Sequence, residues 1–556
     1  MKHSGRHNKE SNEHKPIVLN GKILSPGLAQ GRTFVYRDVL TRFDEFYQIE
    51  SSQVDEELER LNAALAATAS DLNVLATRVK EEIDPALSAV FHAQKAIIQD
   101  PGLGNEIEQE VRDELISVGA AVKNVFSKWE QRFQVMESDV ARQKGDDIRD
   151  LARRVISSLA GIQSHALEKL PPGSVLVSRR LLPSDTVYLS RRIASAALLE
   201  MGGAGSHAAL FAREIGLPCI SALHGILDTI PHDVPALVDA REGSAIINPH
   251  KKHIATFTGK IKRNEVEALR AKERAHGEAV TRDRTTIQVL GNVGTPEDTL
   301  QALDNGAEGI GLFRIEHAFL GHQAPPKPAA VLKQIQETLE PARHLPVCVR
   351  LLDIGADKPL EFMESFREPN PALGRRGIRF LKFWPELLQT QLEALLELAS
   401  QFDLHILVPM ITVVEDFEYA KQQMEQAAQR TGAQVLPRLG AMIETPGAAL
   451  CAGEIAQRAD FLSFGTNDLT QYLFAADREN ASVDDYFDDT HEAVFRMLRI
   501  AAEQAGNTPL SVCGELAARP DAVERLLQIG ITSLSVAPPA IPWVKDAVRA
   551  SSVRAK

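Results

Sequence analysis

Cysteine is scarce in this 556-residue chain. There are four, Cys219, Cys348, Cys451 and Cys513, with no CxxC pair and no Cys/His cluster. Such spacing supports neither a disulfide framework nor a zinc site, and it fits a reducing cytoplasm. Aromatic residues make up 5% of the chain, which argues against a large aromatic ligand platform. No uninterrupted apolar run is long enough to span a bilayer. Residues 1–16, MKHSGRHNKESNEHKP, lack the apolar centre of a signal peptide and read as a disordered tail. Positive charge is in deficit: 62 Lys and Arg stand against 75 Asp and Glu, a formal net charge of -13. An acidic body repels nucleic acid and anionic lipid and attracts a basic protein partner.

What is present is an ordinary globular composition, 44% hydrophobic and 25% charged, at a length that suits about three domains. From Ile17 the text is strand-like and rich in turns, IVLNGKILSPGLAQGRTFVY. It then gives way to a region almost free of glycine and proline as far as Asp84-Pro85. Val54, Leu58, Leu61, Leu65, Leu72, Leu75 and Val79 recur at steps of four and three, with Thr68 in the gap. A second seam runs from Val118 through Val122, Val125, Trp129, Phe133 and Met136 to Val140. These apolar stripes predict an antiparallel helical bundle over roughly residues 51–161. Strand signals return at SVLVS from Ser174 and recur to Ile247, with a helix at about Ala208 to Ile215. Residues 17–50 and 162–253 therefore read as one α/β domain into which the bundle is inserted, and 254–284 as a charged helical linker.

From Thr285 onward eight short apolar runs alternate with helical segments: IQVL, GIGL, PVCVRLL, HILVPM, LGAMI, FLSFG, LSVC and SLSVA. That is the period of a (β/α)8 TIM barrel over 285–556. Asn292, Arg314, Glu444, Asn467 and Asp468 stand just past the ends of these runs, with Cys513 closing the seventh and Arg350 within the third. Polar residues gathered at the C-terminal mouth of a barrel mark an active site. Glu444 and Asp468 offer a hard-metal site, and Arg314, Arg350, Arg376 and Arg478 a strongly positive anion pocket beside it. Together these suit a phosphorylated carboxylate better than a surface ion-pair network. Cys513, with an ordinary thiol pKa of about 8.5, can protonate an enolate carbon or simply serve as a small buried hydrophobe. The turn GGAGSH ending in His207 puts a potential nucleophile at a helix N-terminus, where a carried phosphate meets free backbone donors. A plain capping role stays open on spacing alone.

Taken together these segments resemble Enzyme I of the bacterial phosphotransferase system, from about Ile17 to Lys556. The phosphohistidine segment is GGAGSHAALFAREIGLPCI. The barrel segments are NGAEGIGLFRIEHAFL, VRLLDIGADKPL, NPALGRRGIR, AMIETPGAA, DFLSFGTNDLTQYLFAADREN and VCGELA, in the family's order. The resemblance implies a phosphoenolpyruvate (PEP)-protein phosphotransferase with a swivelling phosphohistidine α/β domain ahead of the barrel. His207 would be the phosphoryl acceptor and Thr186 the hydroxyl that orients its ring. Arg314, Arg350, Asn467 and Arg478 would hold PEP, with Lys358 and Arg376 as further basic positions. Glu444 and Asp468 would be ligands of Mg2+, with Mn2+ also accepted by such a site, and Cys513 the acid that converts enolpyruvate to pyruvate. The family further implies a basic histidine phosphocarrier protein of the HPr type docking on the bundle, a homodimer through the barrel, and a cytoplasmic location. Gly205, Ile315, Ala356, Gln94 and Lys144 depart from the residues usual in the family at their positions. A dikinase or synthase relative with the same histidine and barrel segments would need a nucleotide-binding domain, which nothing before the histidine segment resembles. A regulatory binding protein that keeps the fold without the reaction is the reading from another class.

Overall fold

The computed structural model describes residues 15–37, 47–82, 85–134, 139–162, 165–191, 194–202, 207–319, 322, 324–355, 362, 368, 370–478, 483 and 486–554. Two compact units are present, residues 1–262 with 478–482, and residues 263–477 with 483–556. Among the described residues no helix is long and apolar enough to cross a membrane.

The first unit opens with β1 (Ile17–Asn20), β2 (Lys22–Ser25) and β3 (Leu28–Tyr36). Five helices then follow: α1 (Val54–Glu82), α2 (Pro85–Ile98), α3 (Pro101–Glu114), α4 (Val118–Gln134) and α5 (Asp139–Leu159). The chain returns through β4 (Val175–Ser178), α6 (Pro183–Arg191), β5 (Ala196–Leu199) and α7 (His207–Glu214). It continues with β6 (Cys219–Ser221), α8 (Ile226–Thr229), β7 (Pro235–Asp239) and β8 (Ser244–Ile247). The sheet order is β1-β8-β7-β3-β4-β5-β6-β2. Strands from before the helices thus pair with strands from after them; β3 lies parallel to β4 with Thr33 opposite Val175. The helical bundle is an insertion into a single sheet.

The seam predicted for α1 is what the bundle buries: Leu72, Leu75 and Val79 pack with Leu103 and Ile107 of α3 and Val122 of α4. Burial of one such side chain is worth roughly 1.5–3 kcal/mol, so the 4/3 spacing fixes which face of α1 turns inward. β4 and β5 are buried along their whole length, as expected for parallel strands covered on both faces. The linker is α9 (Lys251–Arg274), whose Lys260 Nζ reaches Glu242 Oε1 at 2.8 Å.

The second unit begins with the short β9 (Ala279–Val280), antiparallel to β10 (Thr286–Val293). The barrel strands are β10, β11 (Ile310–Arg314), β12 (Pro346–Arg350), β13 (Asp403–Ile411), β14 (Arg438–Ile443), β15 (Phe461–Phe464), β16 (Leu510–Val512) and β17 (Ser533–Val536). All pair in parallel, and β10 pairs with both β11 and β17, which closes the sheet on itself. Alternation along the strands divides the core. Val347, Val349, Ile406, Val408, Ala441 and Ile443 join the large cluster under the surrounding helices. The residues between them, Cys348, Leu407 and Met442, meet Leu312 and Cys513 in a separate inner cluster.

A helix, Ile541–Ala550, follows β17. Its fully buried Lys545 pairs with Glu308 at 2.7 Å. Beyond it, the carboxylate of Asp283 accepts from the backbone N–H groups of Val553 and Arg554, each at 3.0 Å.

Candidate active site

The mouth of the barrel carries a buried ladder of alternating charge. Arg350, the last residue of β12, donates to Glu316 Oε1 at 2.5 Å and lies 3.1 Å from Asp353 Oδ2. Arg376 donates to the same Asp353 oxygen at 2.9 Å, to Asp468 Oδ1 at 2.7 Å and to the Tyr472 hydroxyl at 3.1 Å. The Tyr472 hydroxyl in turn donates to the carbonyl of Ala372 at 2.5 Å. Burial opposes the charge of both arginines, but the surrounding carboxylates outweigh it and raise both guanidinium pKa values above the usual range. Both cations stay charged at any working pH.

Glu444 follows β14 and is 1% exposed. Met410, at φ 57°, adopts a left-handed conformation rare for a residue with a side chain. That turn aims the Met410 N–H at Glu444 Oε1, 2.6 Å away. Gly465 covers the other side: a Cβ there would stand 2.7 Å from Glu444 Oε2. Asp468 lies in the first turn of the helix Thr466–Phe474 and is likewise buried. Burial, then repulsion from Asp468 and Asp353, pushes the Glu444 carboxyl up to about 8, with Arg376 and Arg350 pulling against the shift.

Cys513, directly after β16, is buried in the inner cluster. Its turn is clamped from three sides. Asn292 Nδ2 donates to the Cys513 carbonyl at 3.0 Å, Asn467 Oδ1 accepts from the Glu515 N–H at 2.9 Å, and the Ser463 hydroxyl donates to Cys513 Sγ at 3.4 Å. Burial raises the thiol to about 11. Arg314, the last residue of β11, is exposed and its side chain makes no hydrogen bond or ion pair among the described residues. Arg350 Nε is buried without a hydrogen-bond partner among the same residues, so donors for an anion remain at this mouth.

Of the residues singled out from sequence, the structure brings together Arg350, Arg376, Glu444 and Asp468, with Cys513 on a turn that Asn467 and Asn292 clamp. Arg478 is half-buried in a segment that groups with the first unit. Lys358 and Ala356 lie outside the described residues, as do Gly205 and the side chains of Thr186, His207 and Lys144. The expected strongly positive pocket needs correction: Glu316 and Asp353 occupy much of the donor capacity of the two buried arginines. Both acids were missed by the sequence reading. The available signal for Asp353 was an acid three residues after Arg350, just beyond a strand end.

In the first unit His207 is the first residue of α7 and Thr186 lies on α6. The first turn of α6 is tied to the bundle. Arg153 of α5 donates to Asp185 Oδ1 at 2.7 Å, to the Tyr36 hydroxyl at 2.7 Å and to Asp150 Oδ1 at 2.7 Å. Asp150 also accepts from the Ser184 N–H at 3.1 Å and from Gln94 Nε2 at 3.4 Å. Gln94 is fully buried, so this departure from the family is an interior residue. Burial works to raise the Asp185 carboxyl, yet Arg153 and His165 outweigh it and hold it at about 2.

A closed parallel barrel with buried carboxylates and guanidinium groups at its C-terminal mouth defines a class of anion-handling α/β-barrel protein. Three family profiles match the chain: "PEP-utilising enzyme, N-terminal" over residues 20–144, "PEP-utilising enzyme, mobile domain" over 170–243, and "PEP-utilising enzyme, PEP-binding domain" over 268–553. The chain belongs to the PEP-utilising enzyme family. It is 32% identical over 492 residues to the phosphoenolpyruvate-protein phosphotransferase of Geobacillus stearothermophilus, covering 87% of this chain and 85% of that one. Its identity to the phosphoenolpyruvate-protein phosphotransferase of Haloferax volcanii is 34% over 500 residues, covering 88% and 86% respectively. Among solved structures, the solution structure of Enzyme I (nEIt) is 27% identical and covers 44% of this chain and 99% of its own, with a TM-score of 0.38.

Proposed function

We propose that the chain is a phosphoenolpyruvate-protein phosphotransferase, which takes the phosphoryl group of PEP onto His207 and passes it to a histidine phosphocarrier protein of the HPr type. The observation that carries this reading is the buried ladder Glu316–Arg350–Asp353–Arg376–Asp468 at the barrel mouth, with Glu444 beside it. Guanidinium forks suit phosphate and carboxylate oxygens. Arg350, with its unpartnered Nε, and the free Arg314 are the donors we assign to the substrate. Asn467, Arg478, Lys358 and Arg376 complete the PEP-binding set by family resemblance.

Glu444 and Asp468 fit a magnesium ion by their chemistry. They are two buried carboxylates whose mutual repulsion raises one of them, a situation that a cation relieves. Among the described residues no group of three or more His, Cys, Asp or Glu could hold a metal unaided. When bound, such an ion spreads the negative charge of the transferring phosphoryl group.

The chain's own residues do the rest. A ring nitrogen of His207 attacks phosphorus; the P–N bond forms as the bond to the enol oxygen breaks, and the electron pair leaves with the enolate. Cys513 gives its thiol proton to the enolate carbon, producing pyruvate, and the thiolate regains a proton from solvent. Thr186 orients the His207 ring. The net charge of -13 suits a basic carrier, for which the inserted bundle is the docking site we assign. Dimerisation through the barrel and cytoplasmic action belong to the same reading.

The test is to incubate native protein and His207→Ala with magnesium and phosphoryl-labelled PEP, following label and pyruvate. Acid-labile label on the native protein and none on the variant is expected. PEP binding without label on either protein would refute the reading in favour of a regulatory relative.

A further inference from the structure

We propose that Ser463 is a positioning residue for proton delivery: its hydroxyl holds the Cys513 sulfur while the thiol proton leaves and supports the thiolate that remains. This rests on the reading of Cys513 as the acid. Ser463 lies on β15, in register with Met442 of β14, and so on the inner face of the barrel. Leu312, Cys348, Leu407 and Met442 on that face are apolar, Ser511 of β16 stands beside it in register with its hydroxyl on the Leu462 carbonyl, and Ser463 itself is 2% exposed. Among the described residues its hydroxyl has a single partner, Cys513 Sγ at 3.4 Å.

A buried hydroxyl loses its hydration, and sulfur is a weak acceptor that repays little of that loss. Packing alone would be served as well or better by alanine. What the hydroxyl does offer is a donor to sulfur. In the resting geometry the Cys513 S–H donates to the Phe464 carbonyl at 3.6 Å. The serine hydroxyl approaches the sulfur as donor, so it strengthens once the sulfur becomes an anion. Burial makes that anion costly, pushing the thiol up to about 11, with Ser463 pulling the other way. The proton balance is simple: the S–H bond breaks, a C–H bond forms at the enolate carbon, and the negative charge left on sulfur points at the Ser463 donor.

The experiment is a single turnover with labelled PEP and magnesium on the full-length native protein, Ser463→Ala, Ser463→Thr and Cys513→Ala, timing label on the protein against pyruvate release. In Ser463→Ala, label should still appear while pyruvate lags tenfold or more, with a thermal midpoint no lower than native. Ser463→Thr, which keeps the hydroxyl, should close most of the lag. A lowered midpoint with label and pyruvate still in step would make Ser463 a packing residue and overturn the proposal. If Ser463→Ala is native-like while Cys513→Ala lags, the proposal fails and the assignment of Cys513 stands. If Cys513→Ala also shows no lag, both fall together.

Discussion

Arg153 is the residue whose loss should be felt most sharply in the first unit. Its guanidinium serves Asp150, Asp185 and the Tyr36 hydroxyl at once, and both aspartate side chains are 0% exposed. Arg153→Met keeps the volume of the side chain and removes the charge, leaving two buried carboxylates without the cation they share. Breaking a buried pair in this way costs about 3–5 kcal/mol. A separate bound comes from Asp185, held at about 2 against an ordinary 3.8. At about 1.36 kcal/mol per pKa unit, that shift is worth roughly 2.5 kcal/mol at neutral pH. The two figures agree on a loss of about 3 kcal/mol, or roughly a hundredfold faster amide exchange by local opening.

The pH dependence has a definite sign. A depressed carboxyl stabilises the native fold above its unfolded pKa, and this contribution is lost as pH falls from about 4 to about 2. In Arg153→Met burial acts unopposed by that cation, so Asp185 is protonated more readily and the variant's deficit is largest near neutral pH and shrinks on acidification. Hydrogen exchange on the full chain, read on peptides from α5 and α6 at two pH values, checks both points. Exchange that accelerates equally in the barrel strands, or a deficit that does not shrink as pH falls, would refute the reasoning.

At the barrel mouth, Gly465→Ala should drive a methyl into the Glu444 carboxylate, 2.7 Å away. Displacement of that order costs about a hundredfold in rate, to be read as magnesium-dependent pyruvate formation by a protein whose melting is little changed. Arg350→Lys cannot span Glu316 and Asp353 together as the planar fork does. It should raise the KM for PEP by tenfold or more, and an unchanged KM would remove Arg350 from the substrate site. Magnesium added at about a hundred times its Kd should stabilise the protein by about 2.7 kcal/mol, measured calorimetrically. Glu444→Gln should abolish that response while melting no lower than native without the ion, because burial and repulsion from Asp468 and Asp353 already disfavour the charged carboxylate that the amide replaces.

Periodicity along the chain was sufficient to read the elements. Leu72, Leu75 and Val79 of α1 and the eight apolar runs of the barrel announce their structure through local spacing, because which face of a helix or strand is buried is written in steps of four and three or of two. The barrel-end positions of Glu444, Asp468 and Cys513 followed from the same pattern, since a parallel barrel delivers every strand's C-terminal end to one mouth, whereas Arg350, read within its run, is the last residue of β12. What tertiary structure alone decided is how those charges are spent. Asp468 meets Arg376 across 92 residues of sequence, and Asp353 is shared by two arginines. Gln94, a departure from the family within the inserted bundle, reaches inward to Asp150 across 56 residues. Met410 turns left-handed so that its N–H meets Glu444. No local spacing encodes such pairings: they depend on where barrel closure and bundle insertion bring distant side chains, and burial then makes each unpaired charge too costly to leave alone.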